Sequence, residues 1–196
     1  DLEQLLADTE VADRGAPPSV KEFLTLYGDC LPEIGKVFAG AGETAVGALV
    51  GTVAEAGLIG PVTDPAKVLC VGLNYKDHVA ETGRALPDSP DVFTKFASTL
   101  SGPFDEIGGV DVSEKLDFEG EVAIVIGRRA SRVSEAEALE YVAGLAPLNG
   151  VSARDLQFRG TQWTPGKAVD GSTPWGPALV TLDEIGDPQT LELVTR

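Results

Sequence analysis

Two glutamates separated by a single residue, Glu119 and Glu121, stand at the mouth of the apolar run Ala123-Ile124-Val125-Ile126. If that run is a buried strand, residues two apart share a face, so Asp117, Glu119 and Glu121 align while Phe118, Gly120 and Val122 turn away. Carboxylates this close repel unless a cation joins them. An all-oxygen set suits hard cations such as Mg²⁺ or Ca²⁺ rather than zinc, which favours His or Cys. Two carboxylates leave most of the coordination sphere open, so a third protein ligand is expected elsewhere in the chain.

His78 is the only histidine. A lone histidine is commonly a surface or core residue with no chemical task, but this one follows an apolar strand and has Glu81 three positions on. Those two share a face on a helical turn. A carboxylate beside an imidazole fixes its tautomer and raises its basicity, as a general base requires. Arg154 and Gln157 have the same spacing and could grip a carboxylate together; equally, Arg154 and Asp155 could be ordinary surface partners. Lys167 follows Gly166. It reads either as a plain loop lysine or as a cation near a developing negative charge, where glycine lets the backbone approach a ligand.

These residues must be positioned by elements that the pattern outlines. Leu2, Leu5 and Leu6 recur at helical spacing, Ser19 opens a second helix carrying Phe23, Leu24 and Tyr27 to a stop at Gly28, and a third pattern runs from Thr44 to Ala56. Gly60 to Pro65 reads as a connector. From Lys67 the chain turns to short apolar runs bounded by Gly, Pro and Asp. A buried strand over 67–72, a short helix over 76–82 closed by Gly83, and strands over 92–96, 110–112 and 121–126 are expected. Ser134 and Glu137 form a capping box for a helix stopping at Gly144, Ser152 caps a short helix, and 175–182 returns to strand.

The 196 residues carry 15 basic and 31 acidic side chains, a net charge of −16, with 43% hydrophobic content. This is a folding composition, and its acidity disfavours nucleic acid and anionic membranes as partners. Cys30 and Cys70 fit no zinc or redox spacing and read as reduced. No apolar run is long enough to span a membrane and the first residues are not a signal peptide, so a cytoplasmic location is expected. The absence of methionine implies that residues preceding Asp1 are not shown.

Taken in order, Gly72-Leu73-Asn74-Tyr75-Lys76-Asp77-His78-Val79-Ala80-Glu81, Phe93-Thr94-Lys95, Leu100-Ser101-Gly102-Pro103, Asp117-Phe118-Glu119-Gly120-Glu121 and Val151-Ser152-Ala153-Arg154-Asp155-Leu156-Gln157 resemble the fumarylacetoacetate hydrolase family. Trp163 to Lys167 and Trp175-Gly176-Pro177 continue the resemblance, which covers roughly Pro61 to the end. It is closest to the short bacterial acylpyruvase and oxaloacetate decarboxylase-like members. It implies an α+β fold, a mixed-sheet roll or pseudo-barrel with short helices, here a catalytic domain over 61–196 preceded by a helical segment over 1–60.

It further implies a homodimer, a small keto acid substrate, no organic cofactor, and Mg²⁺ or Mn²⁺ held by three carboxylates, two of which match Glu119 and Glu121. His78 and Glu81 match the water-activating pair. Lys167 matches a catalytic lysine, and Arg154, Gln157 and Lys95 match substrate-binding positions. The chain departs from the pattern at Gly150, which replaces the third metal carboxylate, at Gly171, and in stopping at Arg196 before further C-terminal strands, so it reads either as a fragment of a larger whole or as a reduced family member. Two function classes follow. One is a metal-assisted hydrolase or lyase acting on a C–C bond or enolisable position of an acylpyruvate, β-diketo acid or oxaloacetate. The other is a protein of the same fold with a degenerate metal site, acting as a metal-independent enzyme of cyclisation, elimination or isomerisation, or as a non-catalytic binder or partner.

Overall fold

The computed structural model describes residues 19–40 and 57–195. The helical patterns at Leu2 to Leu6 and at Thr44 to Ala56 lie outside them. Helix α1 (Val20–Tyr27) begins where expected: the Ser19 side chain accepts the Glu22 N–H at 3.2 Å, and Gly28 ends it. A second helix, α2 (Leu31–Gly40), follows directly; it falls within the segment expected to be helical, although its own bounds were not outlined. Its Ile34 packs with Tyr27, Cys30 and Phe23 into a small apolar cluster. Lys21 pins α1 to the next region, its Nζ donating to Asp64 Oδ2 at 2.7 Å.

Short antiparallel pairs make up most of the rest. Strand β1 (Val68–Gly72) pairs with β2 (Asp91–Lys95), with Val68 opposite Lys95 and Gly72 opposite Asp91. Between them lies α3 (Lys76–Thr82), closed by Gly83 in the left-handed conformation. Strand β3 (Leu100–Ser101) runs parallel to β8 (Thr173–Pro174), and β4 (Leu116–Asp117) pairs with β7 (Ser152–Ala153). The longest ladder joins β5 (Gly120–Ile126) to β6 (Val142–Asn149). The described residues thus form an α+β assembly without a closed barrel.

The core sits on one face of the β5–β6 ladder. Val62, Ala146 and Trp175 are buried there, with Ala123, Val125, Leu100 and Leu148 packed against them. Side chains alternate across a strand, so Glu121 shares the face of Ala123 and Val125 and continues the core stripe into the site. The alternate residues Ile124 and Ile126 are 60% and 56% exposed, so the run read as buried is covered on one side only. The same holds for β1, where Leu69 and Val71 face outward.

Several boundaries differ from the pattern. Residues 110–112 form a turn in which Val112 and Ser113 N–H groups donate to the Gly109 carbonyl, and they pair with no strand among the described residues. The capping box at Ser134 is present, but it opens a 3₁₀ helix, Glu135–Tyr141, and the chain enters β6 at Val142 before reaching Gly144. Ser152 belongs to β7 instead of capping a helix. Residues 175–182 contribute only single bridges, Trp175 to Leu148 and Val180 to Leu145, before helix α6 (Leu182–Ile185). No helix among the described residues is long and apolar enough to cross a membrane.

Candidate functional site

The site forms where β4 and β5 meet two single-turn helices, α4 (Arg154–Gln157) and α5 (Thr164–Lys167). These helices pack closely because residue 166 is glycine: a Cβ there would stand 2.4 Å from Gln157 N and 2.6 Å from the Ala153 carbonyl oxygen. That approach brings Lys167 beside Arg154. Between β4 and β5 the ladder is interrupted at Phe118 and Glu119, and the gap is bridged by Asn149. The Asn149 Oδ1 accepts the Glu119 N–H at 3.0 Å, and the Gly150 N–H donates to the Glu119 carbonyl at 2.8 Å.

Glu119 is the hub. Lys167 Nζ donates to both its oxygens at 2.7 and 2.6 Å, and Arg154 Nη1 lies 2.8 Å from Oε1. Arg154 also grips Asp117 Oδ2 through Nε and Nη2 at 2.8 and 2.7 Å, and donates to Gln157 Oε1 at 2.8 Å. A guanidinium has five N–H donors, so at least one remains beyond these four contacts. The Lys167 ammonium rests 5.4 Å from the centroid of the Phe93 ring, which Trp163 meets edge-on at 5.7 Å. Phe93, Trp163 and the Asp117–Arg154 pair were not singled out as functional from the sequence. The parity of β2, which puts Phe93 on the face of Lys95, is the signal that would have found the first.

Glu121 stands beside this cluster in a different state. Burial first, then the neighbouring Glu119 charge, pushes its carboxyl above the usual range, while Lys167, the Tyr75 hydroxyl and His78 act in the opposite direction. His78 and Glu81 lie on α3, at the exposed rim, with Nδ1 3.9 Å from Glu81 Oε2. The turn that delivers them places Leu73 at φ 53°, a left-handed conformation that an L side chain adopts only at a cost.

Lys95 lies deeper than the rest. It is 4% exposed, and its Nζ donates to the Lys167 carbonyl, to Thr173 Oγ1 at 3.1 Å and to the Val151 carbonyl at 3.3 Å. Burial pulls its pKa down to about 8.

Gly150 faces the carboxylate pair. A Cβ there would stand 3.6 Å from Glu121 Cγ and 3.8 Å from Glu119 Cβ, both ordinary contacts. Among the described residues no three of His, Cys, Asp and Glu gather closely enough to cage a metal. As a donor set, the two carboxylates nevertheless suit a hard cation of the Mg²⁺ kind, which commonly takes one or two protein carboxylates and fills its octahedron with water and ligand oxygens.

The fumarylacetoacetate (FAA) hydrolase C-terminal family matches residues 67–196. The chain is 44% identical over 144 residues to oxaloacetate tautomerase FAHD2A, mitochondrial, of Homo sapiens, covering 72% of this chain and 46% of that protein. Among solved structures, fumarylacetoacetate hydrolase from psychrophilic Exiguobacterium antarcticum is 43% identical, with a TM-score of 0.57 over 64% of this chain and 46% of that one. 2-hydroxyhepta-2,4-diene-1,7-dioate isomerase from Mycobacterium marinum is 37% identical, with a TM-score of 0.53 over 63% and 44%. The chain therefore spans about half the length of the curated relatives it matches.

Proposed function

The chain belongs to the fumarylacetoacetate hydrolase family, and on that premise we propose that it acts at the enolisable carbon of a small keto acid, by tautomerisation or by cleavage of the adjoining C–C bond. The observation that carries the reading is the Lys167 ammonium held on Glu119 beside the Arg154 guanidinium. Both cations are fixed by carboxylates before any ligand arrives. Such preorganised charge stabilises an oxyanion without having to reorganise during the reaction.

The chemistry divides among the residues as follows. The remaining N–H of Arg154 and the amide NH₂ of Gln157 bind the substrate carboxylate. His78, oriented by Glu81, takes the proton from the carbon next to the carbonyl as the electron pair moves onto the carbonyl oxygen. Lys167 donates a hydrogen bond to that oxygen where charge accumulates; a proton from solvent completes the enol there, and His78 returns its own proton to solvent. In the cleavage variant, the same His78 removes a proton from water as the water adds to the distal carbonyl. The tetrahedral adduct collapses by breaking the C–C bond to the enolisable carbon, and the released acid keeps the water oxygen. The electron pair departs as the enolate beside Lys167, which takes back at carbon the proton that His78 holds. Phe93 and Trp163 form an apolar wall that excludes water beside Lys167.

Glu119 and Glu121 would hold Mg²⁺ or Mn²⁺, which when bound supplies Lewis-acid stabilisation of enolate charge. Gly150 adds no donor to that pair, and Glu119 already has two cationic partners. Those two facts favour a second reading, in which Lys167 and Arg154 carry the oxyanion without a resident metal. Activity that persists in excess chelator separates it from the first.

The reading is tested by following keto–enol interconversion of oxaloacetate and hydrolysis of an acylpyruvate by ultraviolet absorbance with the full chain and with His78→Ala. A general base contributes about 10²- to 10⁴-fold, and a loss of that size is expected in the variant. Absence of turnover on both substrates, or a His78→Ala rate equal to the parent's, would sink it. A homodimer and a cytoplasmic location are part of the same proposal, and sedimentation and fractionation test them directly.

A further inference from the structure

Lys95 is the most deeply buried cation in the described part of the molecule after its donors are counted, and no carboxylate touches it. Its three N–H donors are all consumed, by the carbonyls of Lys167 and Val151 and the hydroxyl of Thr173. These acceptors come from α5, from the turn after β6, and from β8, segments 72, 56 and 78 residues away in sequence. Burying an ammonium against neutral dipoles is costly, which its lowered pKa reflects. A methionine of similar length would fill the volume without that cost.

What the charge does there follows from the carbonyl it meets. Lys167 ends α5, and the last carbonyls of a helix lack partners within it. Gly166 presses the opposite side of the same turn against α4. The backbone of Lys167 is therefore held from two sides, and its side chain runs from that fixed point past Phe93 to both oxygens of Glu119. Phe93 and Lys95 share one face of β2, so a single strand supplies both the aromatic floor under Lys167 and the tether of its backbone.

We propose that Lys95 is a positioning residue: its ammonium clamps the Lys167 carbonyl to Val151 and Thr173 and so sets the Lys167 ammonium on Glu119. It has no donor left for a substrate, which separates its role from that of Arg154 and Gln157. The proposal rests on the reading of Lys167 as the group that faces enolate charge, and its test has one arm that does not need that reading.

The full chain is compared with Lys95→Met and with Thr173→Val, which removes one of the three acceptors. Limited acetylation with an N-hydroxysuccinimide ester, quantified by peptide mass spectrometry, gives the labelling rate of Lys167 relative to the exposed Lys115. In parallel, kcat and KM are measured on oxaloacetate enolisation. In Lys95→Met, Lys167 should label about tenfold faster relative to Lys115, and kcat should fall at least about tenfold with KM within about twofold. Thr173→Val should move both in the same direction by about twofold, and it decides the matter if Lys95→Met does not fold. Unchanged Lys167 labelling in the folded variants overturns the proposal. So does a fall in kcat that merely tracks the folded fraction. If the parent chain turns over no keto acid, the functional reading fails while the labelling ratio still decides the role of Lys95.

Discussion

Lys167 spans both oxygens of Glu119 while Arg154 joins Asp117, Glu119 and the neutral Gln157, so two cations share two carboxylates within one cluster. Lys95 stands behind that cluster without any acid in contact, and this makes its titration measurable. The groups acting on it besides burial are Cys70, Lys167, Glu119 and Glu121. Its folded-state pKa of about 8 lies below the 10.5 of an unperturbed lysine. As pH rises, the folded chain releases this proton first, so between those values the unfolded chain binds more protons and the Lys95 contribution to stability increases with pH. The slope approaches about 1.4 kcal/mol per pH unit in the middle of that window and vanishes outside it. Urea denaturation of the parent and of Lys95→Met across the window checks this. The parent should gain stability relative to the variant as pH rises, and parallel curves would show that Lys95 is not a buried cation.

At the scale of elements, the site depends on how tightly α4 and α5 meet. Gly166→Ala places a methyl group against the backbone of Gln157 and Ala153, neither of which can swing aside. Overpacking of this kind costs about 1–3 kcal/mol, and the shift needed to relieve it carries Lys167 with it, so a lower Tm and a lower kcat should appear together. The β5 register makes a second prediction. Val125→Ala should cost about 1–3 kcal/mol because Val125 packs in the core, whereas Ile124→Ala, on the exposed face, should cost within about 0.5 kcal/mol in the isolated chain. Equal costs by chemical denaturation would contradict the observed facing. Local signals located some of these elements well. Ser19 capping α1, Gly83 closing α3 and the Ser134–Glu137 box are each decided by neighbours in sequence. Pairing is not decided locally. Residues 110–112 and 175–182 have strand composition, yet the first pair with no strand among the described residues, and the second meet β6 through the single bridges at Trp175 and Val180 and the Gly176 N–H on the Pro147 carbonyl. The Glu119, Glu121, Arg154 and Lys167 types and spacing were legible for the same local reason, while Lys167 reaching across 48 residues to Glu119 was not. Nor was the burial of Lys95, since nothing in Phe93-Thr94-Lys95 distinguishes a lysine facing a ligand from one facing carbonyls.

The net charge of −16 acts on the whole molecule and complicates any question about metals. Excess negative charge destabilises the compact state by self-repulsion, and any added cation relieves it by screening. Mg²⁺ should therefore raise Tm even without entering the site, and so should NaCl. The site's own contribution is the excess of the Mg²⁺ shift over that of NaCl at matched ionic strength. Residue 150 tunes that excess, because it faces Glu119 and Glu121 at ordinary contact distance and its backbone is not in the left-handed region. Gly150→Asp would bring a third carboxylate to the pair, and charge count sets the affinity of oxygen-ligated cations. A tenfold gain in affinity adds about 1.4 kcal/mol of stabilisation once the ion is well above its Kd. Without metal, the same substitution sets three carboxylates together and should lower Tm. The expected result is a crossing: Gly150→Asp less stable than the parent in NaCl and more stable in Mg²⁺ or Mn²⁺. If the two respond identically to divalent and monovalent salt, Glu119 and Glu121 are not a cation pair, and Lys167 with Arg154 must carry the oxyanion alone.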